Sequence, residues 1–412
     1  MKITDVRTVL LTGPATNDPF LQDCRERRSA AFIEIHTDGP HVGLGETYAG
    51  YFFPEGVAPI VEFFRPILCG QTVDDAAQIA KLWQRMYHCG NFWCRVGLGL
   101  SVLGGVEAAL WDLLGKQTEQ PVFELLGGAQ HEQLAAYATG GPSNYPLSQL
   151  VEKVEHYLTL GFNGVKLAVG AYTKEEAFTV PAEPQAAADF EAEKLSFLRQ
   201  QFGNTLRIML DGHMGNSASS TWDLPAARAV IEAVAPFDLL FFEEPLHYTD
   251  PSGYAGLCRE SKVPIAGGEC LTGVCEWQTF VERDCFDIGQ PDASFTGGLG
   301  TFMEVAQLLR DRGKQIATHA WGAGGSLMQN VHCGFAAANT AILEVPPDFG
   351  PLHQEIMGES FQMRDGSVLP PTTAGLGIVL TDSMKARFPF EAGSGEYNSV
   401  VGKVMPEEVV AP

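Results

Sequence analysis

Short apolar runs alternate with longer amphipathic stretches over the second half of the chain, from Leu134 onward. The short runs have the length of buried strands, and the stretches between them repeat their apolar positions with helical spacing. We predict eight strands here, at residues 134–139, 164–168, 207–210, 239–242, 264–266, 287–290, 315–318 and 341–343. Strands that alternate with helices are typical of a parallel α/β domain.

The chain before and after this region has a different pattern. Residues 1–50 contain runs of alternating apolar and polar positions and an Asp38-Gly39 turn signal, which together predict strands joined by a hairpin. Residues 57–126 have the periodicity of helices. Residues 350–412 are rich in Gly and Pro and no longer alternate, so we expect this tail to return and pack on the N-terminal part.

Composition narrows the class of function. The chain has 412 residues and a formal net charge of -23, which argues against nucleic acid or an anionic membrane surface as a partner. It contains no apolar run of membrane-spanning length and no N-terminal signal pattern, so we predict neither a membrane protein nor an exported one. The nine cysteines lack the paired spacing of a zinc site. These features predict a cytoplasmic protein with reduced thiols.

Three of the predicted strands end on a carboxylate. Asp211, Glu243 and Glu269 each follow a short apolar run, at intervals of about one strand-plus-helix unit of a (β/α)8 barrel. The carboxyl ends of neighbouring barrel strands converge, so these carboxylates would repel one another without a cation between them. Mg²⁺ prefers oxygen ligands and suits this set. The alternative is that each acid caps the following helix, but recurrence in consecutive units favours a metal site.

The remaining strand ends carry further ionisable side chains. In chain order they are Lys166, His213, Asp292, His319 and Glu344. Catalytic groups of these barrels come from the ends of several different strands, and charged residues are rarely buried without a partner. The sequence therefore predicts one site that combines metal ligands with general acids and bases.

The motifs around these residues resemble the enolase superfamily, and within it the mandelate racemase-like subgroup. They are the helix motif at 109–128, the strand motif at 161–166, Glu243-Glu244-Pro245, Gly268-Glu269, Pro291-Asp292 followed by Gly298, and the motif at 318–322. The resemblance covers nearly the whole chain. It implies a modified TIM barrel of (β/α)7β type at residues 131–349, covered by an α+β capping domain from residues 1–130 and the C-terminal segment 350–412.

The same resemblance implies a role for each residue of the predicted site. Mg²⁺ would be the cofactor, held by Asp211, Glu243 and Glu269. Asp292 would fix the tautomer of His319 and raise its basicity, and Lys166 would match the first lysine of the family's Lys-x-Lys pair. Because a proton α to a carboxylate is weakly acidic, its removal needs positive charge near the developing enediolate. Glu344 would match the acid on the last strand and, when protonated, donate to the other oxygen.

Two positions depart from the family pattern. Ala168 stands where the second lysine of the pair would be, so one face of the substrate lacks its usual acid–base group. His213 stands where many relatives carry Asn. We interpret it as a second acid, a substrate contact or a residue that only adjoins the metal. His332, in contrast, follows an apolar helical pattern beside Phe335, and we expect it to pack in the core.

The leading hypothesis is a Mg²⁺-dependent dehydratase of a sugar acid, an aldonate or an aldarate. His319 would abstract the C2 proton, and loss of the C3 hydroxyl would give a 2-keto-3-deoxy acid. The alternative is a cycloisomerase that opens or closes a sugar-acid lactone or anhydro ring through the same enolate. A non-enzymatic barrel is disfavoured because metal ligands and dyad occur together. We expect a small-molecule substrate, a homo-oligomer, and substrate stereochemistry set by loops 13–28, 46–54 and 171–188.

Overall fold

The computed structural model describes residues 1–21, 27–140, 146–173, 176–215 and 221–394. The loops expected to set substrate stereochemistry are therefore described only in part, because 22–26 and 174–175 lie outside these ranges. The loop expected at 46–54 is not a loop throughout. Its start belongs to a strand and its aromatic part forms a short helix, Ala49–Phe52.

An antiparallel sheet and a set of helices form the N-terminal capping domain. The sheet has the order β1-β2-β3, with strands Ile3–Gly13 (β1), Arg28–Thr37 (β2) and Val42–Thr47 (β3). The predicted hairpin joins β2 to β3. The helices are Ala49–Phe52 (α1), Val57–Leu68 (α2), Ala76–Gly90 (α3), Leu98–Thr118 (α4) and Val122–Leu125 (α5).

The long helix α4 is the core of the cap. Two glycines of β3 allow it to approach the sheet, because a Cβ at Gly43 would lie 2.1 Å from the Ala109 carbonyl oxygen. At Gly45 a Cβ would lie 2.2 Å from the Gly105 carbonyl oxygen. Among the described residues, α4 alone is long and apolar enough to cross a membrane, but 94% of its apolar window is buried inside the protein. Its apolarity is explained by this packing.

Parallel strands close a barrel in the middle of the chain. Within the described residues the barrel has eight strands: Leu134–Thr139 (β4), Gly164–Ala168 (β5), Arg207–Asp211 (β8), Phe242–Glu243 (β9), Ile265–Gly267 (β10), Ile288–Gly289 (β11), Gln315–Ala317 (β12) and Thr340–Val345 (β13). The last strand pairs with the first through Leu343 and Ala136, which closes the sheet. A short hairpin, Ala171–Thr173 (β6) and Glu176–Thr179 (β7), follows β5.

One helix connects each barrel strand to the next. In chain order these are Leu147–Thr159 (α6), Pro184–Phe202 (α7), Leu224–Val234 (α8), Pro251–Glu260 (α9), Gly273–Glu282 (α10), Leu299–Asp311 (α11) and Gly324–Ala336 (α12). Eight strands and seven connecting helices, all in described residues, give the expected (β/α)7β barrel. Every predicted strand is present, but several ends differ. The run 239–242, for example, contributes only Phe242 to β9. Apolar residues indicate that a segment is buried, but they do not indicate which of its residues form hydrogen bonds with a neighbouring strand.

The C-terminal segment packs on both domains. Its elements are Pro351–Met357 (α13), Met363–Arg364 (β14), Ser367–Val368 (β15) and Asp382–Arg387 (α14). The strand β15 pairs with the start of β4, and Lys385 Nζ lies 2.6 Å from Glu34 Oε1 on β2. The contact with β2 agrees with a tail that returns to the cap, and the pairing with β4 joins it to the barrel as well. The division of the domains near residues 130 and 349 stays a prediction.

Asp112 joins three parts of the cap. Its Oδ2 accepts a hydrogen bond from the Leu44 amide at 2.8 Å and lies 2.6 Å from Lys116 Nζ, and its Oδ1 accepts from the Leu376 amide at 2.7 Å. The carboxylate is fully buried. Its loss would therefore leave buried donors of the sheet and the tail without an acceptor.

We expect Asp112→Ala to lower the free energy of unfolding by roughly 3 kcal/mol, because unsatisfied buried donors and an unpaired cation are costly. Urea denaturation followed by tryptophan fluorescence measures the change. Asp382→Ala removes an exposed carboxylate and is the control, expected to unfold like the native protein. Equal stability of the two variants would contradict this role for Asp112.

Candidate active site

Four of the predicted residues meet at the carboxyl ends of the barrel strands. Lys166 Nζ lies 2.8 Å from Glu243 Oε2, 3.0 Å from Asp211 Oδ2 and 3.4 Å from Glu344 Oε1. The ladder produces this arrangement, since Ala168 pairs with Asp211 and Asp211 with Glu243 on successive strands. All four ionisable side chains are almost completely buried.

The charge of this cluster is unbalanced. Burial and the charge of Asp211 raise the pKa of Glu243 well above its usual range. Burial alone would lower the pKa of Lys166, but Asp211 and Glu243 outweigh it and raise that pKa well above its usual value. A single protonated lysine therefore faces the carboxylates of three strands. Such a buried excess of negative charge attracts a further cation.

The residues present fit a hard divalent cation. Among the described groups, Glu243 Oε1 is buried without a hydrogen-bond partner, which is costly unless water or a cation satisfies it. The donor atoms are carboxylate oxygens, the ligands that Mg²⁺ prefers. Glu269 approaches from the next strand end, and its charge also acts on Glu243. Asp211, Glu243 and Glu269 are thus the residues that would hold the ion.

A buried histidine–aspartate dyad lies beside these carboxylates. His319 Nδ1 is 2.8 Å from Asp292 Oδ2, and His319 Nε2 is 3.6 Å from Glu269 Oε2. Burial lowers the pKa of His319, but the charge of Glu269 and the hydrogen bond to Asp292 outweigh it and raise that pKa to about 9. The aspartate holds Nδ1, so Nε2 is the nitrogen presented to the metal-ligand side of the site.

Asp292 is itself held by residues that the sequence prediction did not include. Its Oδ1 accepts hydrogen bonds from the Ser294 amide at 2.8 Å, the Ser294 hydroxyl at 2.7 Å and Asn330 Nδ2 at 2.8 Å. Asn330 lies on α12, every residue of which is buried. This helix carries several other polar residues, so the sequence contains no signal that singles out Asn330, and only the tertiary structure identifies its partner.

The two departures from the family pattern lie near the cluster. His213 adjoins a proposed metal ligand, because its Nε2 is 3.1 Å from Asp211 Oδ2 and its amide donates to Asp211 Oδ1 at 3.0 Å. Its side chain is 39% exposed, so it also reaches solvent at the barrel mouth. Ala168 is buried at the end of β5, where its carbonyl accepts a hydrogen bond from Lys194 Nζ at 3.1 Å.

Aromatic residues of the cap and the barrel cover the dyad. The Tyr48 ring centroid is 5.5 Å from that of His319, and Tyr48 stacks on Tyr51 at 5.1 Å. The Arg28 guanidinium lies over the Trp321 ring and donates to the Trp321 carbonyl at 2.6 Å. The cap therefore forms one wall of the site, and this wall contains Tyr48 and Tyr51 from the segment 46–54, one of the loops expected to set substrate stereochemistry.

His332 packs in the core, as predicted. Its Nδ1 accepts a hydrogen bond from the Phe123 amide at 3.1 Å, and the two rings stack. Burial lowers the pKa of His332 to about 3, so it is neutral at physiological pH. It takes no part in the site.

Two family patterns match the chain. Residues 149–384 match the enolase C-terminal domain-like family, and residues 7–127 match the N-terminal domain of the mandelate racemase / muconate lactonizing enzymes. The chain belongs to the mandelate racemase-like group of the enolase superfamily. The barrel and cap described above are the fold that the resemblance implied.

Relatives of this mandelate racemase-like chain cover nearly its whole length. Arabinonate dehydratase of Saccharolobus solfataricus is 30% identical over 394 residues, which is 93% of this chain and 98% of that protein. The 3,6-anhydro-alpha-L-galactonate cycloisomerase of Streptomyces coelicolor is 30% identical over 349 residues, 84% of this chain and 88% of that protein. The crystal structure of L-talarate dehydratase from Polaromonas sp. JS666, complexed with Mg and L-glucarate, superposes with a TM-score of 0.78 at 28% identity and covers 95% of this chain and 98% of that chain.

The proposed metal ligands predict a specific loss of Mg²⁺ binding. In Glu243→Gln a buried charge is removed while the shape is kept, so we expect Mg²⁺ affinity to fall by more than about tenfold, since loss of even a supporting residue typically costs that much. Titration calorimetry on chelator-treated protein measures the affinity. Glu193→Gln, an exposed acid on α7, is the matched control. Native Mg²⁺ affinity in Glu243→Gln would remove this residue from the ligand set.

Proposed function

We propose that the protein is a Mg²⁺-dependent dehydratase that converts a sugar acid to a 2-keto-3-deoxy acid. The observation that carries the proposal is the position of Lys166 among three carboxylates, next to the His319–Asp292 dyad. A base and a concentrated positive charge at adjacent points are what removal of a proton α to a carboxylate requires. The dehydratases among the relatives support the same class of reaction.

His319 would act as the general base. Its charged form is favoured chiefly by Glu269, so neutralisation of Glu269 lowers the pKa of His319 from about 9 toward the physiological range. Asp292 then holds the Nδ1 proton and leaves Nε2 to accept the substrate's C2 proton. After abstraction, the imidazolium would return that proton to the departing C3 hydroxyl, so that water leaves.

Lys166 and Glu344 would stabilise the charge that develops on the substrate carboxylate. Lys166 remains protonated within the cluster, and Tyr137 donates to Glu344 Oε2 at 3.3 Å, which orients that acid. A bound Mg²⁺ would supply Lewis-acid charge to the same carboxylate. The donors are fixed by burial before the reaction, which is the condition under which electrostatic stabilisation is most effective.

A cycloisomerase is the second candidate, and one observation favours it. The Streptomyces coelicolor relative is named for a cycloisomerase and is as similar in identity, 30%, as the arabinonate dehydratase. The same base and the same enolate would serve if the leaving group were a ring oxygen. Incubation with a library of aldonates, aldarates and their lactones separates the two. A dehydratase product has lost one water by mass spectrometry, whereas a cycloisomerase product has the mass of its substrate.

Three further properties belong to this proposal. The substrate would be an aldonate or aldarate, in line with the names of the relatives. The protein would act as a homo-oligomer. It would work in the cytoplasm, where reduced thiols are maintained.

The assignment of the base predicts the behaviour of His319→Asn. Loss of a general base typically lowers the rate by ~10²–10⁴-fold. Because His319 is not one of the proposed Mg²⁺ ligands, the Mg²⁺ affinity of this variant should stay within a few-fold of the native value. Exchange of the C2 proton with solvent deuterium, followed by NMR, isolates this step. His88→Asn changes an exposed histidine and is the control. Exchange at the native rate in His319→Asn would require another base.

The absence of a second lysine predicts that protons are taken from one face only. Ala168 has no ionisable group, so we expect substrate turned over in D₂O to show no epimer at C2. The rival is that His213 serves the opposite face, since it lies beside Asp211 at the mouth of the site. NMR of recovered substrate measures epimer formation. Accumulation at a rate comparable to turnover, lost in His213→Asn, would overturn the one-face prediction.

A further inference from the structure

A second group of metal-ligating side chains lies next to the proposed Mg²⁺ ligands. It consists of Glu244, Glu269 and Cys270, whose ligand atoms all lie within 4.8 Å of one another. Glu269 is common to both groups, while Glu244 and Cys270 are absent from the first. Neither Glu244 nor Cys270 has a role in the proposed reaction.

Glu244 has an oxygen available for an ion. The residue is fully buried, and its Oε2 is without a hydrogen-bond partner among the described residues. Its other oxygen, Oε1, lies 4.0 Å from the Cys270 Sγ. A buried carboxylate oxygen with no partner is costly. Binding of a cation at this point would remove that cost.

The neighbouring groups would support such an ion. The Tyr248 hydroxyl accepts a hydrogen bond from the Gly268 amide at 2.7 Å and also bonds to Glu244, which fixes the orientation of this acid. Cys270 is solvent-accessible, so an ion can reach this group from solvent. Residues that orient a ligand in this way commonly contribute to metal affinity.

We propose that Glu244, Glu269 and Cys270 form a second cation site that prefers Zn²⁺ to Mg²⁺. A thiolate with two carboxylates suits Zn²⁺, which accepts S and O ligands in tetrahedral geometry, whereas Mg²⁺ takes oxygen ligands. Three protein ligands leave a fourth position for water. Zn²⁺ bonds are about 2.0–2.3 Å long, so ligand atoms that lie within 4.8 Å of one another must come closer together when the ion binds. Binding displaces the thiol proton.

The shared ligand links this site to the catalytic one. Zn²⁺ bound by Glu244 and Cys270 would also be bound by the carboxylate of Glu269. The same carboxylate is a proposed Mg²⁺ ligand, so less of its negative charge would be available to Mg²⁺. Micromolar Zn²⁺ would therefore weaken Mg²⁺ binding. This consequence rests on the proposed Mg²⁺ ligand set, but the existence of the second site does not.

Co²⁺ replaces Zn²⁺ as a spectroscopic probe in the test. The full chain is saturated with Mg²⁺ and titrated with Co²⁺, and the cobalt–thiolate charge-transfer band in the near ultraviolet is recorded. We expect the native protein to show the band and Cys270→Ser to lack it. Competition by Zn²⁺ against this band should give an affinity that falls in Glu244→Gln by more than the ~10–100-fold typical of losing a supporting residue.

Cys275→Ser is the matched control, because Cys275 is also exposed and lies in the first turn of α10, shortly after Cys270. It should keep both the band and the Zn²⁺ affinity. Native Mg²⁺ binding by Cys270→Ser shows that this variant is folded. A band that persists in Cys270→Ser, or that disappears in Cys275→Ser, would overturn the proposal. The spectra need no substrate, so failure of the proposed dehydratase reaction would leave this result unaffected.

Discussion

The carboxylates of Asp211, Glu243 and Glu344 converge on the Lys166 ammonium, and the charge balance at this point constrains the whole catalytic face. One cation cannot neutralise so many buried acids. The excess makes a divalent ion favourable there, and it raises the pKa of the neighbouring His319 through Glu269. The basicity of the dyad and the affinity for metal therefore have the same electrostatic origin, the buried carboxylates at these strand ends.

Buried acids also fix the cap to the barrel. Glu46 on β3 accepts hydrogen bonds at 2.7 Å from the amides of Ala323 and Ser326, at the start of α12. Glu107 on α4 accepts from the Gly300 amide at the start of α11. The first turn of a helix offers unpaired amides and a partial positive charge, which offset the cost of burying a carboxylate. These two contacts place the aromatic wall of the cap over the dyad, because α11 and α12 follow the strand ends that carry Asp292 and His319.

The two sides of the site differ in their chemistry. On one side, Asp292, Ser294 and Asn330 hold His319 in a single orientation. On the other, the end of β5 carries Ala168, and behind it Lys194 is neutralised by Glu191 at 2.8 Å. Lys194 is thus paired with Glu191 and with the Ala168 carbonyl, which is a structural role. An asymmetric site of this kind suits an elimination, in which a proton is removed without being replaced on the opposite face.

The sequence by itself determined the order of strands and helices and the strand ends that carry Asp211, Glu243, Glu269, Asp292 and His319. The spacing of apolar residues indicates which positions are buried. A polar residue that follows such a run is expected at the end of the strand, where the barrel opens. It could not determine the strand limits, since a run such as 239–242 stays apolar beyond the ladder. Nor could it reveal that Asn330 supports Asp292, or that Glu46 and Asp112 join segments far apart in the chain. Those contacts arise only when the barrel closes and the tail returns to the cap, because a hydrogen-bond partner is chosen by proximity in space and leaves no periodic pattern along the chain.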